Sequence, residues 1–514
     1  MINTISVNNF RSLENLRDVK ISPITILLGK NSSGKSSFLR LFPLFKQRVI
    51  GKTRGAISLY GDFVDFGEFD TVITNGSASK TIDFSFNGFI KGKEKNFKKF
   101  FFEESLNRDI NYTCNISISE NKKEDYLYIE NFVFKYEENV IKFSIDNKTK
   151  KLLHCSKNEC QISSYVYENL LIDYFSTGSI LPDTLVKMDE HSYSSFHENI
   201  LLINYLKSSY GENFFSREEL IKIQQNFVLP KKDDIVDYFM QEILTQDLIN
   251  QDRNENFIKS LSEEKLNQLF DIIIINDFLS VYNAINNDLR LSFRNTFYSK
   301  PIRANTERFY RNQPFVVNEV DPDGSNVIQF YSNMSEKQKK EFQDWMDANF
   351  DFHFDTEKQP GFKSIMIYEK TDLEHPHNIT DMGFGYTQIL PIVTQLWTLS
   401  NKITKEHNRD NLVYAIEQPE LHLHPAFQCK LINTFLKLIE VGKKKGIFIR
   451  FIVETHSETI VNHLGREISR NHITQDDVSV LIFSKENKKT IINTVGYSPE
   501  GILKNWPIGF FGEK

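Results

Sequence analysis

Cysteine is scarce: Cys114, Cys155, Cys160 and Cys429 are the only four in 514 residues. Spread so thinly, they cannot form the disulfide frame on which small secreted domains depend. Cys155 and Cys160 lie close together but lack the second Cys pair or His couplet of a zinc site, so they read as reduced thiols. Long apolar runs are missing too. The longest purely aliphatic stretch, Ile272 to Ile275, sits between Asp271 and Asn276, far short of the roughly 18 residues a membrane span needs. The opening Met1 to Arg11 has no basic segment followed by an apolar one, as a secretion signal would. The expectation is a cytoplasmic protein with no membrane partner. Positive charge is not in excess either: 62 Lys and Arg stand against 68 Asp and Glu, a net charge of −6. The chain as a whole is therefore not built to coat nucleic acid. The lysine clusters at 91–99 and 443–445 read as solvated loops, because neither adjoins a recognisable nucleic-acid module.

Core-forming residues are plentiful. Hydrophobic residues make up 40% of the chain, with 44 Phe and 20 Tyr, which excludes wholesale disorder. The length allows two to four domains at roughly 100 to 200 residues each. Residues 1–28 alternate with period two and then run apolar from Ile24 to Leu28, so a strand leads straight into Gly29. Residues 37–50 read as a helix interrupted or kinked at Pro43. Alternation predicts mostly strands from 56 to 150. Helical spacing follows from 160 to 295, as in Leu266, Leu269, Phe270, Ile273 and Ile274, with Asp277 and Asn283 on the opposite face. The last third alternates helices with apolar strands at 412–416, 447–453 and 478–483.

The strongest motif is Gly29-Lys30-Asn31-Ser32-Ser33-Gly34-Lys35-Ser36, followed by Ser37. It fits G-x-x-x-x-G-K-[ST] at every constrained position. In such a loop the glycines let backbone N–H groups of Asn31, Ser32 and Ser33 turn towards phosphates, the lysine reaches the β/γ-phosphates, and the hydroxyl of Ser36 ligates Mg²⁺. A carboxylate at the end of a neighbouring strand must help hold that metal, and Glu417 ends the apolar run 412–416. A third strand ends in Glu454-Thr455-His456-Ser457, which brings an imidazole to the same sheet edge. Upstream, Thr380 to Pro391 contains Gly383, Gly385 and Gln388 in a loop that opens a helix running to Trp397.

This layout resembles the SMC/RecF-like branch of the ABC ATPases. The resemblance implies an α/β head, discontinuous in sequence, with ATP and Mg²⁺ as its ligands. Its expected parts are an N-terminal lobe (1–158), a mainly helical insertion (159–295) and a C-terminal lobe (296–514). Asn9-Phe10-Arg11-Ser12 resembles the edge of such heads that meets the nucleotide, Gly383 and Gly385 a variant signature loop, and His456 the switch histidine. One copy of each element implies a homodimer, or a higher oligomer, that sandwiches two ATP molecules. Tyr60 to Phe69, Pro301 to Tyr310, Glu417 to Pro425 and the ending Trp506 to Phe511 are similar to the PtuA family of Septu antiphage-defence ATPases. That likeness implies an HNH nuclease partner of the PtuB type and, in retron-associated versions, a reverse transcriptase with its RNA–DNA hybrid.

The sequence departs from the pattern at Gln418, where most ABC heads carry a glutamate that polarises the attacking water. An amide orients water but cannot accept its proton. Slow hydrolysis is expected unless Glu420 or His456 substitutes. An overcoming-lysogeny-type nuclease would need a TOPRIM domain of roughly a hundred residues, and only 58 residues follow His456. Asp476-Asp477 reads as a strand-entry turn. A RecF-like repair head that binds duplex DNA directly is the third alternative, against which the acidic balance argues.

Overall fold

The computed structural model describes residues 2–51, 55–92, 108–146, 148–174, 178–187, 193–195, 200–211, 213–225, 234–244, 250–303, 306–311, 315–405, 411–487 and 489–505. Lysines 93–99 of the first cluster and the motif 506–511 lie outside these. The chain forms two compact units. One comprises residues 1–2, 48–58 and 79–290, the other 3–47, 59–78 and 291–514. The line falls elsewhere than at 158 and 295: the β-rich stretch 79–158 groups with the helices that follow it.

In the second unit the apolar runs form one sheet. Its strand order is Thr296–Ser299, Asn411–Glu417, Phe448–Glu454, Ile24–Gly29, Val478–Glu486 and Lys489–Val495. The first five are parallel and the last is antiparallel. Parallel strands covered on both faces need continuous rather than alternating apolar sequence, and 411–417 and 24–29 are buried at every residue. Helices Phe384–Lys405, Pro425–Lys445 and Glu458–Ser469 contribute to the same apolar core as these strands. A small antiparallel sheet, Phe352–Gln359, Phe362–Glu369 and Asp372–Asn378, comes before Gly383, and Gly385, expected in a loop, lies in the first turn of helix Phe384–Lys405. The expected α/β head, discontinuous in sequence, is the one found.

Two helices differ from expectation. After the P-loop, the helix Lys35–Leu39 breaks at Arg40 and resumes as Leu41–Ile50. The break lies a turn ahead of Pro43, whose ring crowds the preceding turn and whose nitrogen has no hydrogen to donate. The helix after Gly383 does not stop at Trp397 but runs through Pro391 to Lys405. Lys443 to Lys445 form the last turn of a helix capped by Gly446, where cations face unpaired carbonyls. Lys443 pairs with Asp477 at 2.7 Å and Lys444 with Glu440 at 2.6 Å, so this cluster is not a free loop.

The first unit is built on an antiparallel meander of Ile82–Ile90, Ile110–Asn121, Tyr126–Tyr136, Asn139–Ile145, Leu152–Lys157 and Cys160–Gln161. The region 160–290 is not purely helical, since Leu170–Asp173, Asp183–Lys187 and Tyr193–Ser195 form a three-stranded sheet. Helix Glu263–Arg294 is long and apolar enough to cross a membrane by length and composition, yet 72% of its apolar window is buried inside the protein. Phe278 and Tyr282 on this helix pack on Phe134 and Phe143 of the meander. Asp277, expected on the polar face, is buried instead and accepts two 3.0 Å bonds from Nη2 of Arg108. Removing one partner leaves an uncompensated buried charge. Arg108→Met should therefore cost about 3 kcal/mol, and adding Asp277→Asn should recover much of the loss. Urea denaturation of the single and double variants measures both.

Candidate nucleotide-binding site

Strand Ile24–Gly29 delivers the chain into the loop, and two glycines there are sterically required. A Cβ on Gly29 (φ +150°) would meet the Phe483 carbonyl oxygen at 2.3 Å. One on Gly34 (φ +105°) would meet Thr490 Oγ1 at 2.5 Å and Ser12 Oγ at 3.1 Å. Asn31 and Ser32 lie at the exposed crest, with Ser32 itself at φ +61°. Ser33 and Lys35 are buried, and Ser37 follows on the helix, half-buried. The Lys35 ammonium folds back onto the carbonyl oxygens of Gly29 and Lys30, at 2.9 and 3.0 Å. Burial lowers the pKa of Lys35, and Glu454, 3.8 Å away, partly restores it.

The register sets two carboxylates side by side. Glu417 and Glu454 are direct partners on adjacent parallel strands, and Glu454 in turn pairs with Leu27 of the P-loop strand. Their environments differ sharply. Arg40 donates from Nε and Nη2 to the two oxygens of Glu417, at 2.7 and 2.8 Å, and the Tyr298 hydroxyl adds a third bond at 2.6 Å. This fork raises the pKa of Arg40. Glu454 accepts from the Ser36 hydroxyl at 3.0 Å through Oε1, while its buried Oε2 has no hydrogen-bond partner among the described residues. Burial first, and then the charge of Glu417, raise the pKa of Glu454.

The loops beyond these strands are tied together. Gln418 (φ +44°) donates its N–H to the Glu454 carbonyl at 2.8 Å. Glu420 accepts from the Thr455 hydroxyl and from the His456 N–H, both at 2.7 Å. His456 points outward, its pKa lowered first by partial burial and then by Lys35. At the other edge the Thr490 hydroxyl lies 2.9 Å from Ser12 Oγ and 2.8 Å from the Ser33 carbonyl. Its hydrogen can go to either oxygen. Arg11 turns at φ +55° and sets its guanidinium over the Phe66 ring, 5.4 Å from the centroid.

A family model for the AAA ATPase domain matches residues 1–461. The chain belongs to this ATPase family. No curated protein matches it. Among solved structures it is similar to the SMC head domain from Thermotoga maritima, at 8% identity over 96% of this chain and 98% of that one, with a TM-score of 0.32. It is also similar to the recombination mediator protein RecF bound to ATP, at 14% identity over 96% of this chain and 97% of that one, with a TM-score of 0.27.

The ATPase thus brings Ser12, Gln418, Glu420 and His456 near the loop Gly29 to Ser37, while Arg11 lies over Phe66. Gly383, Gly385 and Gln388 form a separate group. Gly385 packs against the His422 carbonyl, Gly383 borders open space, and Gln388 is buried in its helix. No hydrogen bond or ion pair among the described residues links these three to the P-loop. Sequence reasoning missed Arg40, Tyr298, Glu454 and Thr490 as contributors. It also missed the role of Arg303, which is buried, donates to the Glu417 carbonyl at 3.1 Å and has its pKa lowered to about 10 by burial. For Glu454 a signal existed: like Glu417, it ends an apolar run. The donor set fits a hard divalent cation, with a hydroxyl and an unpartnered buried carboxylate oxygen next to the phosphate loop.

Thr490→Val keeps the shape but strands the Ser33 carbonyl and removes the Ser12 contact. The expected loss is about 1 to 2 kcal/mol, read by urea unfolding, together with weaker nucleotide binding.

Proposed function

We propose that two copies of this ATPase close around two ATP molecules, and that closure acts as a cytoplasmic switch in antiphage defence governing a partner HNH nuclease. The observation that carries the nucleotide part is the convergence of Lys35, Ser36 and Glu454 on a loop of the P-loop pattern, in a chain of an ATPase family. The dimer is supported by Gly383 and the first turn of helix Phe384–Lys405, which have no bond to the P-loop among the described residues and carry Phe384 at 67% exposure. A second copy would bring that helix start to the open side of the phosphates. The defence role and the PtuB-type nuclease rest on the motif resemblance at Tyr60 to Phe69, Pro301 to Tyr310 and Glu417 to Pro425. A reverse transcriptase with its RNA–DNA hybrid belongs to the retron form of the same reading.

ATP with Mg²⁺, when bound, supplies the phosphoanhydride that is cleaved. The chain's own residues position it. Loop N–H groups and Lys35 hold the phosphates, and Gln418 orients water without taking its proton. Each oxygen of Glu420 accepts one bond from the Thr455–His456 turn, so Glu420 braces His456. Binding is therefore firm and turnover slow, as suits a switch held in one state until triggered.

Lys35→Ala should abolish binding of a fluorescent ATP analogue. Gln418→Glu should raise steady-state ATP hydrolysis by about a hundredfold, the usual scale of a general base. Wild-type turnover already at ordinary ABC-type rates and indifferent to Glu420→Gln would overturn the slow-switch reading. Co-expression with adjacent reading frames tests the partner. Co-purification of a small HNH protein supports the proposal, whereas autonomous DNA cleavage or partner-free duplex binding would favour the TOPRIM-type or RecF-like alternative.

A further inference from the structure

We infer that Glu454, through Oε2, rather than Glu417, is the carboxylate that holds the divalent cation accompanying the nucleotide. The inference rests on the ATP-site reading above and assigns its metal ligand. Both glutamates end parallel strands at the same level, so position alone does not choose between them. Their partners do. Glu417 is 2% exposed and already takes three donors on its two oxygens, two of them from the planar fork of Arg40. Such bidentate charge-assisted pairs are strong and directional. A cation approaching Glu417 would meet the positive guanidinium of Arg40 lying across both oxygens.

Glu454 is arranged the opposite way. It is 4% exposed, and its Oε1 accepts from the hydroxyl of Ser36, the P-loop position whose oxygen ligates the metal. Its Oε2 is buried with no hydrogen-bond partner among the described residues. The nearest cation, Lys35, stands 3.8 Å from the other oxygen and gives its hydrogens to two loop carbonyls. A buried carboxylate oxygen without a donor is costly unless something positive completes it. Magnesium meets that need: it takes oxygen ligands and is usually held by one or two carboxylates plus phosphate oxygens and water. Arg40 and Tyr298 then keep Glu417 as a fixed, neutralised neighbour.

The test compares affinity for a fluorescent ATP analogue in Mg²⁺ and in EDTA, using the full-length protein and its E454Q, E454D and E417Q variants. Wild type should bind at least about tenfold tighter with Mg²⁺. E454Q should lose that gain while keeping its affinity in EDTA, which also shows that its site is folded. E454D should retain only part of the gain, and E417Q should keep it while unfolding at lower temperature. Should E417Q not fold, E454Q decides alone. A full Mg²⁺ gain in E454Q, or a gain lost only in E417Q, overturns this assignment and leaves the ATP site standing. Wild-type protein that binds the analogue in neither condition overturns the ATP reading itself.

Discussion

Two glutamates at the same height on neighbouring parallel strands repel each other in a setting that water scarcely reaches. The helix after the P-loop resolves the conflict. Its first turn offers Lys35 and Ser36 to Glu454, and its end offers Arg40 to Glu417. The spacing from 35 to 40, a little over one helical turn, lets one short element serve both strands. The break at Arg40 therefore lies where the chain must leave regular helix while aiming a guanidinium at the sheet edge. The loop conformation, the fork on Glu417 and the orientation of Ser36 all depend on this arrangement.

The asymmetry between the two acids gives each a different chemistry. Glu417 takes three hydrogen bonds and is balanced by the charge of Arg40. Glu454 has one oxygen committed and one open, so it has spare capacity towards a ligand. Gln418 lies between them, its N–H tied to the Glu454 carbonyl. Movement of either strand end is thus felt at Gln418. Glu420 and the Thr455–His456 turn extend the coupling outward.

Much of this was legible in the residues. The P-loop string, the continuous apolar strands and the histidine at the sheet edge are local patterns, and each appears where its pattern placed it. Pairings over long separations were not legible. Nothing near Arg40 announces a carboxylate 377 residues away, and nothing near Asp277 announces Arg108, so a buried acid was read as a solvated one. The strands at 170–173, 183–187 and 193–195 are too short for alternation to emerge within a helical stretch. Glu454 and Glu417 end apolar strands alike, so the sequence pattern does not tell the two acids apart.

The order of strands also bears on how the protein is made. The P-loop strand 24–29 has as its neighbours only 448–454 and 478–486, and Ser12 is fastened through Thr490. A chain emerging from the ribosome therefore presents an apolar strand and a phosphate loop with nothing to pair them for more than 400 residues. Contacts of such long range form late and slowly. Competence to bind nucleotide thus arises only after strands 448–454 and 478–486 have been made, and a product cut before them carries the motif without the site.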